Sequence, residues 1–407
     1  MNTEANDSPK SQLKSWLFIA SMTLVCAQWL IVRLFHIEIH NVMMEAFLPG
    51  LAIFGAAYVL SWGAELLQLD LPQTFALLLL ALIAVLPEYA VDMYFAWMAG
   101  KDPQYMGWAT ANMTGANRLL IGVGWPVVLL AFWWGTRQKQ IVLEESHKIE
   151  FRALVIATLY CFVIPIKGSL SLVDFVILLG VFGFYLWGAM HAEVNEPELE
   201  GPTEHIAQFR PAVRRLFTVL FFLVAGTTIF LAAEPFAEGL LKAGRTLGIE
   251  EFILVQWLAP LASESPEFIV AVLFAMRGLA GASLGTLISS KVNQWTLLVG
   301  MLPLVFSLSA GHAGSMVMDS RQVEEIFLTA AQSFFALILI IDFTFGWWEA
   351  LLLLVLFITQ LFFTDPFVRY VYAYVYIGLG IMLLVGSSRR RNCLIGLFKK
   401  KSCCCDK

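Results

Sequence analysis

The chain is poor in charge. Of its 407 residues only 14% are Asp, Glu, Lys or Arg, while 59% are hydrophobic. Soluble chains carry about 25% charged residues. With a mean hydropathy of +0.75, this deficit excludes a water-soluble globular body and makes lipid the solvent for most of the chain. Also lacking are a G-x-x-x-x-G-K-[ST] loop, a His-Glu-x-x-His pair, a G-x-S-x-G elbow and an Asp-rich diphosphate motif. These absences argue against ATP-driven transport and against familiar intramembrane hydrolases. We expect no enzyme, no cofactor, and no nucleotide or nucleic-acid partner. The six cysteines show no C-x-x-C spacing that would hold zinc. Cys26 and Cys161 fall in apolar stretches and read as small hydrophobes. Cys393, Cys403, Cys404 and Cys405 sit in a basic tail, suited equally to S-acylation and to solvated, reduced thiols.

What the chain has in plenty is apolar runs. A hydrocarbon core about 30 Å thick takes roughly 20 residues of helix. On that template spans are predicted at 16–36, 43–67, 72–100, 106–134, 151–168, 170–190, 214–240, 252–277, 280–310, 324–343, 346–364 and 366–386. The first is too long for a signal-peptide core and lacks a small-residue cleavage site, so it reads as a retained helix. Twelve spans put both termini on one side. With the N-terminus inside, seventeen Lys and Arg fall on inner segments and six on outer ones. That bias predicts cytoplasmic termini in a cell membrane. The stretch 191–213, rich in Glu with Pro and Gly, reads as an acidic cytoplasmic linker rather than a folded domain.

The two halves echo each other where polar residues enter the membrane. One reads Ala84-Val85-Leu86-Pro87-Glu88-Tyr89-Ala90-Val91-Asp92, the other Ser263-Glu264-Ser265-Pro266-Glu267-Phe268-Ile269-Val270-Ala271. Each is followed by a span opening on small and polar residues: Thr110 to Asn117, and Ser283 to Asn293. A carboxylate in hydrocarbon costs several kcal/mol unless paired or hydrated, so Glu88 and Glu267 are functional candidates. Pro lacks an N–H and clashes with the preceding turn, freeing carbonyls beside each Glu. Carbonyls with carboxylates make a hard oxygen site for Na+ or Ca2+. Discontinuous helices from inverted repeats are how secondary transporters assemble such sites. The expected fold is therefore an all-α polytopic membrane protein of about twelve helices. It has two inverted five-helix repeats, 43–190 and 214–364, plus an extra helix at each end, within 1–42 and 365–407.

The paired Pro-Glu spans, the Thr114-Gly115-Ala116-Asn117 stretch and the five-plus-five layout resemble the sodium/calcium exchanger membrane family of the cation/Ca2+ antiporter superfamily. The resemblance rests mainly on 82–124 and 258–303. It implies Glu88 and Glu267 as the central carboxylates, Asn117 as an amide ligand and Ser263 as a hydroxyl ligand. The chain departs from the family pattern at several points. Ala84 and Val85 stand where hydroxyl residues are expected, and Glu264 replaces a small hydroxyl residue. Asp92 adds a carboxylate one turn after Glu88, as Glu264 does one turn before Glu267. Lys291 puts an ammonium into the second signature span. Matching the motifs from their starts pairs Lys291 with Asn117. Matching Asn117 with Asn293 also pairs Gly124 with Gly300, and that register is slightly preferred.

The resemblance implies a secondary antiporter moving Na+, Ca2+ or H+ by alternating access around the paired glutamates. The alternatives are a Na+/H+ or Ca2+/H+ antiporter in which Lys291 stands in for a cation, and a transport-inactive exchanger-like sensor or scaffold. An intramembrane enzyme would need unfamiliar chemistry. Arg118 is open between pairing with Asp92 and serving as a structural bridge. Glu65, Glu234, Glu238 and Asp342 read as hydrated carboxylates near span ends.

Overall fold

The computed structural model describes residues 9–70, 86–191, 199, 201–363 and 365–399. In lipid a helix satisfies its own backbone, so apolar stretches of this length fold as helices. In chain order these are α1 Pro9–Leu34, α2 Val42–Gln68, α3 Leu86–Ala99, α4 Tyr105–Thr136, α5 Glu145–Lys167, α6 Leu172–Ala189 and the short α7 Pro202–Ala207. They continue with α8 Pro211–Leu247, α9 Glu251–Met276, α10 Ala280–Ala310, α11 Ser320–Ile340, α12 Trp347–Leu361, α13 Pro366–Gly386 and α14 Ser388–Leu397. Among the described residues nine helices are long and apolar enough to cross a membrane, and the bent α9 makes a tenth. α12 is shorter, at 15 residues. The predicted span 72–100 lies partly outside the described residues, where Ala84 and Val85 also fall.

Boundaries follow local chemistry. Asn41, Asp319 and Asp365 each precede a helix and accept from its first free N–H groups, Asn41 from the Met43 N–H at 2.9 Å. Helical ends at Arg137, Gly248 and Gly311 adopt the left-handed conformation that stops a helix. The all-α expectation holds apart from two small antiparallel ladders. β1 Gln140–Val142 pairs with β4 Thr344–Gly346, and β2 Ser169–Leu170 pairs with β3 Met316–Val317. β1 and β3 follow the two signature spans α4 and α10. β2 and β4 precede the last helix of each half, α6 and α12. The ladders are thus two copies of one device.

The chain forms two compact units. The first comprises Met1–Tyr94 and Met190–Pro266, the second Phe95–Ala189 and Glu267–Lys407. In the first, α2 lies along α8 and α1 packs on both. A methyl at Gly239 would stand 2.6 Å from the Glu45 carbonyl, and one at Gly50 2.7 Å from the Phe236 ring, so both helices use glycine to approach closely. Tyr58, Trp62, Leu66, Phe221 and Ile229 fill the core between them. α8 has 37 residues, roughly 55 Å at 1.5 Å per residue, longer than the hydrocarbon core. Polar contacts clamp the two ends of the pair. Lys242 meets Glu45 at 2.7 Å. At the other end Arg214 and Arg215 meet Asp70 at 2.7 and 3.1 Å, and Thr203 donates to Glu65 at 2.5 Å. Thr203 belongs to α7, whose Ile206 is buried in the core, so the acidic linker contributes a packed turn of helix.

In the second unit α11 is sheathed by α13, α5 and α4. Its polar residues Glu324, Glu325, Thr329, Gln332 and Ser333 are all buried. α12 packs on the middle of α4, where a methyl at Gly122 would overlap Phe357. α6 packs on the middle of α10, where one at Gly300 would stand 3.2 Å from the Leu178 Cβ. The basic α14 returns along the bundle: Arg390 meets Glu349 at 2.5 Å, and Arg389 reaches Asp342 at 3.5 Å. Cys393 is buried and disulfide-bonded, which corrects the expectation of a tail of free or acylated thiols at that position.

Candidate functional site

Both signature spans change helical form at the same place. In α4 the segment Leu120–Gly124 winds as a π-helix, and in α10 Gln294–Leu298 does. A π turn shifts the hydrogen-bond ladder by one residue and leaves a backbone carbonyl in need of a partner; such turns concentrate at functional sites. Here the carbonyls just before the first π turn are taken by side chains from elsewhere. Lys291 approaches the Asn117 carbonyl at 3.4 Å, and the Gln332 amide donates to that of Arg118 at 3.2 Å. In the second span the Thr296 hydroxyl donates to the Val292 carbonyl at 2.6 Å.

These landmarks decide the register between the spans. Leu120 matches Gln294, Gly124 matches Leu298, and the left-handed cap Arg137 matches Gly311. The same step matches Asn117 with Lys291. The slightly preferred pairing of Asn117 with Asn293 is therefore corrected. Glycine identity at 124 and 300 misled it, because those glycines meet different partners, Phe268 and Leu178.

The matched residues touch. The Lys291 ammonium donates to Asn117 Oδ1 at 2.6 Å and stands 4.3 Å above the centre of the Trp295 ring. Asn117 is held in that pose because its own amide N–H donates to the Met113 carbonyl at 2.8 Å, leaving Oδ1 toward the ammonium. Lys291, Asn117 and Trp295 are all buried. Asn293 is buried as well, two residues further along α10.

Glu267 opens the part of α9 that belongs to the second unit. It is half-buried and accepts from the Ser290 hydroxyl at 2.7 Å, so it leans on the residue beside Lys291. Phe268 follows it against Gly124, where a methyl would overlap the ring. Glycine at the end of the first π turn thus lets the Glu267 segment dock on α4. Two further close approaches mirror each other. Gly135 meets the Met276 backbone at the end of α9, and Gly100 meets Ser309 and the Phe306 carbonyl at the end of α3.

The other expected ligands lie in the first unit. Glu88 and Asp92 are buried one turn apart on α3, and Ser263 and Glu264 are buried on α9. The Ser263 hydroxyl donates to the Ala259 carbonyl at 3.1 Å, so its lone pairs alone remain for a cation.

Sequence reasoning singled out Arg118 but missed the partners of its polar cluster. Arg118 pairs with Glu325, and Arg369 from α13 reaches both Glu325 and Glu324. All four are buried. Arg118 therefore bridges α4 to α11 within the second unit. The predicted span began at Glu324, at the edge of the apolar run, and neither glutamate was singled out. α11 in fact starts at Ser320, a turn earlier. The Asp319-x-x-Gln322 cap was the available signal. Among the span-end carboxylates, Glu234 is exposed, Glu238 accepts from Tyr94 at 2.8 Å, and Asp342 is buried and accepts from Thr344 at 2.8 Å.

Comparison with known proteins gives a consistent result. The family model described as sodium/calcium exchanger protein matches residues 46–190 and 217–364. A crystal structure of the H+/Ca2+ exchanger CAX is 42% identical in sequence, with a TM-score of 0.91, over 95% of this chain and 97% of that one. The sodium/calcium exchanger MaX1 of Methanosarcina acetivorans is 25% identical over 150 residues, 36% of this chain. An uncharacterized membrane protein of Methanocaldococcus jannaschii is 26% identical over 153 residues, 37% of this chain. Those matches span 39% and 48% of the two curated relatives. The sodium-calcium exchanger NCX_Mj, 22% identical with a TM-score of 0.53 over 80% of this chain and 99% of that one, shares the fold.

Proposed function

Because the chain belongs to the sodium/calcium exchanger family and is a multi-pass integral membrane protein, we propose that it is a secondary antiporter that moves Ca2+ against protons, with Glu88 and Glu267 as its cation-carrying carboxylates. The observation that carries the choice of proton over Na+ is the match to an H+/Ca2+ exchanger along nearly the whole chain. Charge balance allows that choice, as it would allow Na+. A carboxylate binds either a hard cation or a proton. Two of them are neutralised equally by one Ca2+ or two protons, so either cargo leaves the same charge to be moved through hydrocarbon.

Glu267 is anchored for such exchange. Its hydrogen bond from Ser290 orients the carboxylate without neutralising it, since a hydroxyl donates a bond and carries no charge. The resemblance extends the reading to Asp92, Ser263 and Glu264 as further oxygens in the first unit and to Asn117 and Asn293 in the second, where Lys291 tunes the charge. The repeats 43–190 and 214–364 are read as inserted in opposite orientations, with both termini cytoplasmic in the cell membrane.

Proteoliposomes containing the purified chain test the reading. Ca2+ uptake driven by an outward proton gradient, with protons leaving as Ca2+ enters, is the expected result. Glu267→Gln and Glu88→Gln should each reduce it to the rate of empty liposomes. Ca2+ uptake that follows a Na+ gradient and ignores pH would replace the proton with Na+. Absence of flux under every gradient would reject transport and leave the exchanger-like scaffold.

A further inference from the structure

We propose that Lys291 is a built-in cation that occupies a monovalent-cation position in the second signature span and so makes this exchanger blind to Na+. The proposal rests on the antiport reading and adds the residue that sets ion specificity.

Three observations carry it. First, three contacts of the ammonium are ones a hard monovalent ion would take: the Asn117 side-chain oxygen at 2.6 Å, the Asn117 backbone carbonyl at 3.4 Å, and a Trp295 face at 4.3 Å. A carbonyl and an amide oxygen are ligands of hard cations, and an aromatic face attracts a bare positive charge. Second, the π turns and helix caps make Lys291 the counterpart of Asn117. The first repeat puts a neutral oxygen ligand at this position, and the second puts there a cation that cannot leave. Third, the site has been shaped around the ammonium. The Asn117 amide N–H is tied to Met113, which turns its oxygen toward Lys291. The π turn that follows releases the backbone carbonyl.

Electrostatics then exclude Na+. A second monovalent ion sharing these oxygens would sit within a few ångströms of a fixed charge in a medium that screens poorly. Replacing Lys291 by Asn would restore an amide at both matched positions and leave oxygen ligands with no positive charge among them.

The test uses Na+ itself, with choline as the non-binding control. Wild-type protein, Lys291→Asn, Lys291→Gln and Lys291→Arg are purified, and radioactive Na+ binding and thermal unfolding are followed in both salts. The expected result is no saturable Na+ binding and no Na+-dependent shift in the wild type or in Lys291→Arg. Lys291→Asn should gain both, with an affinity raised on the order of tenfold or more. Saturable Na+ binding by the wild type would overturn the proposal. So would a Lys291→Asn protein that unfolds cooperatively and ignores Na+, the result expected if Lys291 only ties the two spans together. If Lys291→Asn aggregates in both salts, Lys291→Gln is judged by the same two criteria. Aggregation in choline that Na+ prevents supports the proposal. The readout is binding, so a failure of Ca2+ flux in the wild type would reject the antiport reading without deciding this one.

Discussion

The spans Tyr105–Thr136 and Ala280–Ala310 share a backbone plan: helix, π turn, helix and a left-handed cap. They differ in the residues that plan displays. Where the first carries Asn117 and Arg118, the second carries Lys291 and Val292. The first span sends its charge into a buried cluster with Glu325, Glu324 and Arg369. The second sends its charge to the partner span's amide. A shared backbone plan can therefore set buried charge against carboxylates in one copy and against a neutral amide in the other. Backbone form depends on hydrogen-bond geometry that many sequences satisfy, while buried charge depends on single residues.

The largest effect should come from the carboxylate that leans on the second span. Glu267→Gln should remove Ca2+ flux in proteoliposomes while leaving the melting temperature within a few degrees, because Gln keeps the acceptor for Ser290. A fully active Glu267→Gln would end its assignment as cargo ligand.

Next is the first span's bridge. Glu325→Leu removes the carboxylate that Arg118 and Arg369 share and should cost about 3–5 kcal/mol, read as thermal unfolding in detergent. Adding Arg118→Met should recover much of that loss. An unshifted melt for the single variant would show that the cluster is not a scaffold.

Glycines sharpen the comparison further. Gly124→Ala drives a methyl into Phe268 and should cost about 1–3 kcal/mol, with slower flux because Phe268 carries Glu267. Gly300→Ala meets the Leu178 Cβ at 3.2 Å and the Phe175 carbonyl at 3.6 Å, with no overlap, and should be milder. Equal effects would mean that docking of the Glu267 segment does not depend on the first π turn.

The smallest effect lies away from both spans. The Arg214 hydrogen bond, with help from Arg215, holds the Asp70 carboxyl below its usual range. A depressed carboxyl contributes stability that is complete above its unfolded value and fades as pH falls toward the folded one. Asp70→Asn should therefore lower the neutral-pH melt slightly, and the difference from wild type should begin to narrow as pH falls below about 4. A gap as wide at the acid end as at neutral pH would show that the Asp70 contact stabilises by packing rather than charge.

Much of this was legible in one dimension. Lipid forces every backbone group into an internal hydrogen bond, so apolar length alone predicts helices, and α1, α2, α8 and α13 fall close to their expected positions. Cost alone marks Glu88, Glu267 and Lys291, because a charge in hydrocarbon needs a reason. Boundaries and partners were harder. Glu324 and Glu325 went unremarked because an apolar-length template starts the span at Glu324 and overlooks the Asp319 cap.

Sequence by itself determined the membrane class, the family and the residues worth questioning, since each follows from composition, length or the penalty on a single side chain. Tertiary structure decided which of those residues meet. Two π turns, invisible in hydropathy, set the register that brings Lys291 onto Asn117. A glycine contact set where Phe268 and the Glu267 segment dock. Such pairings join residues far apart in the chain, and their free energy depends on distance and desolvation that no local pattern encodes.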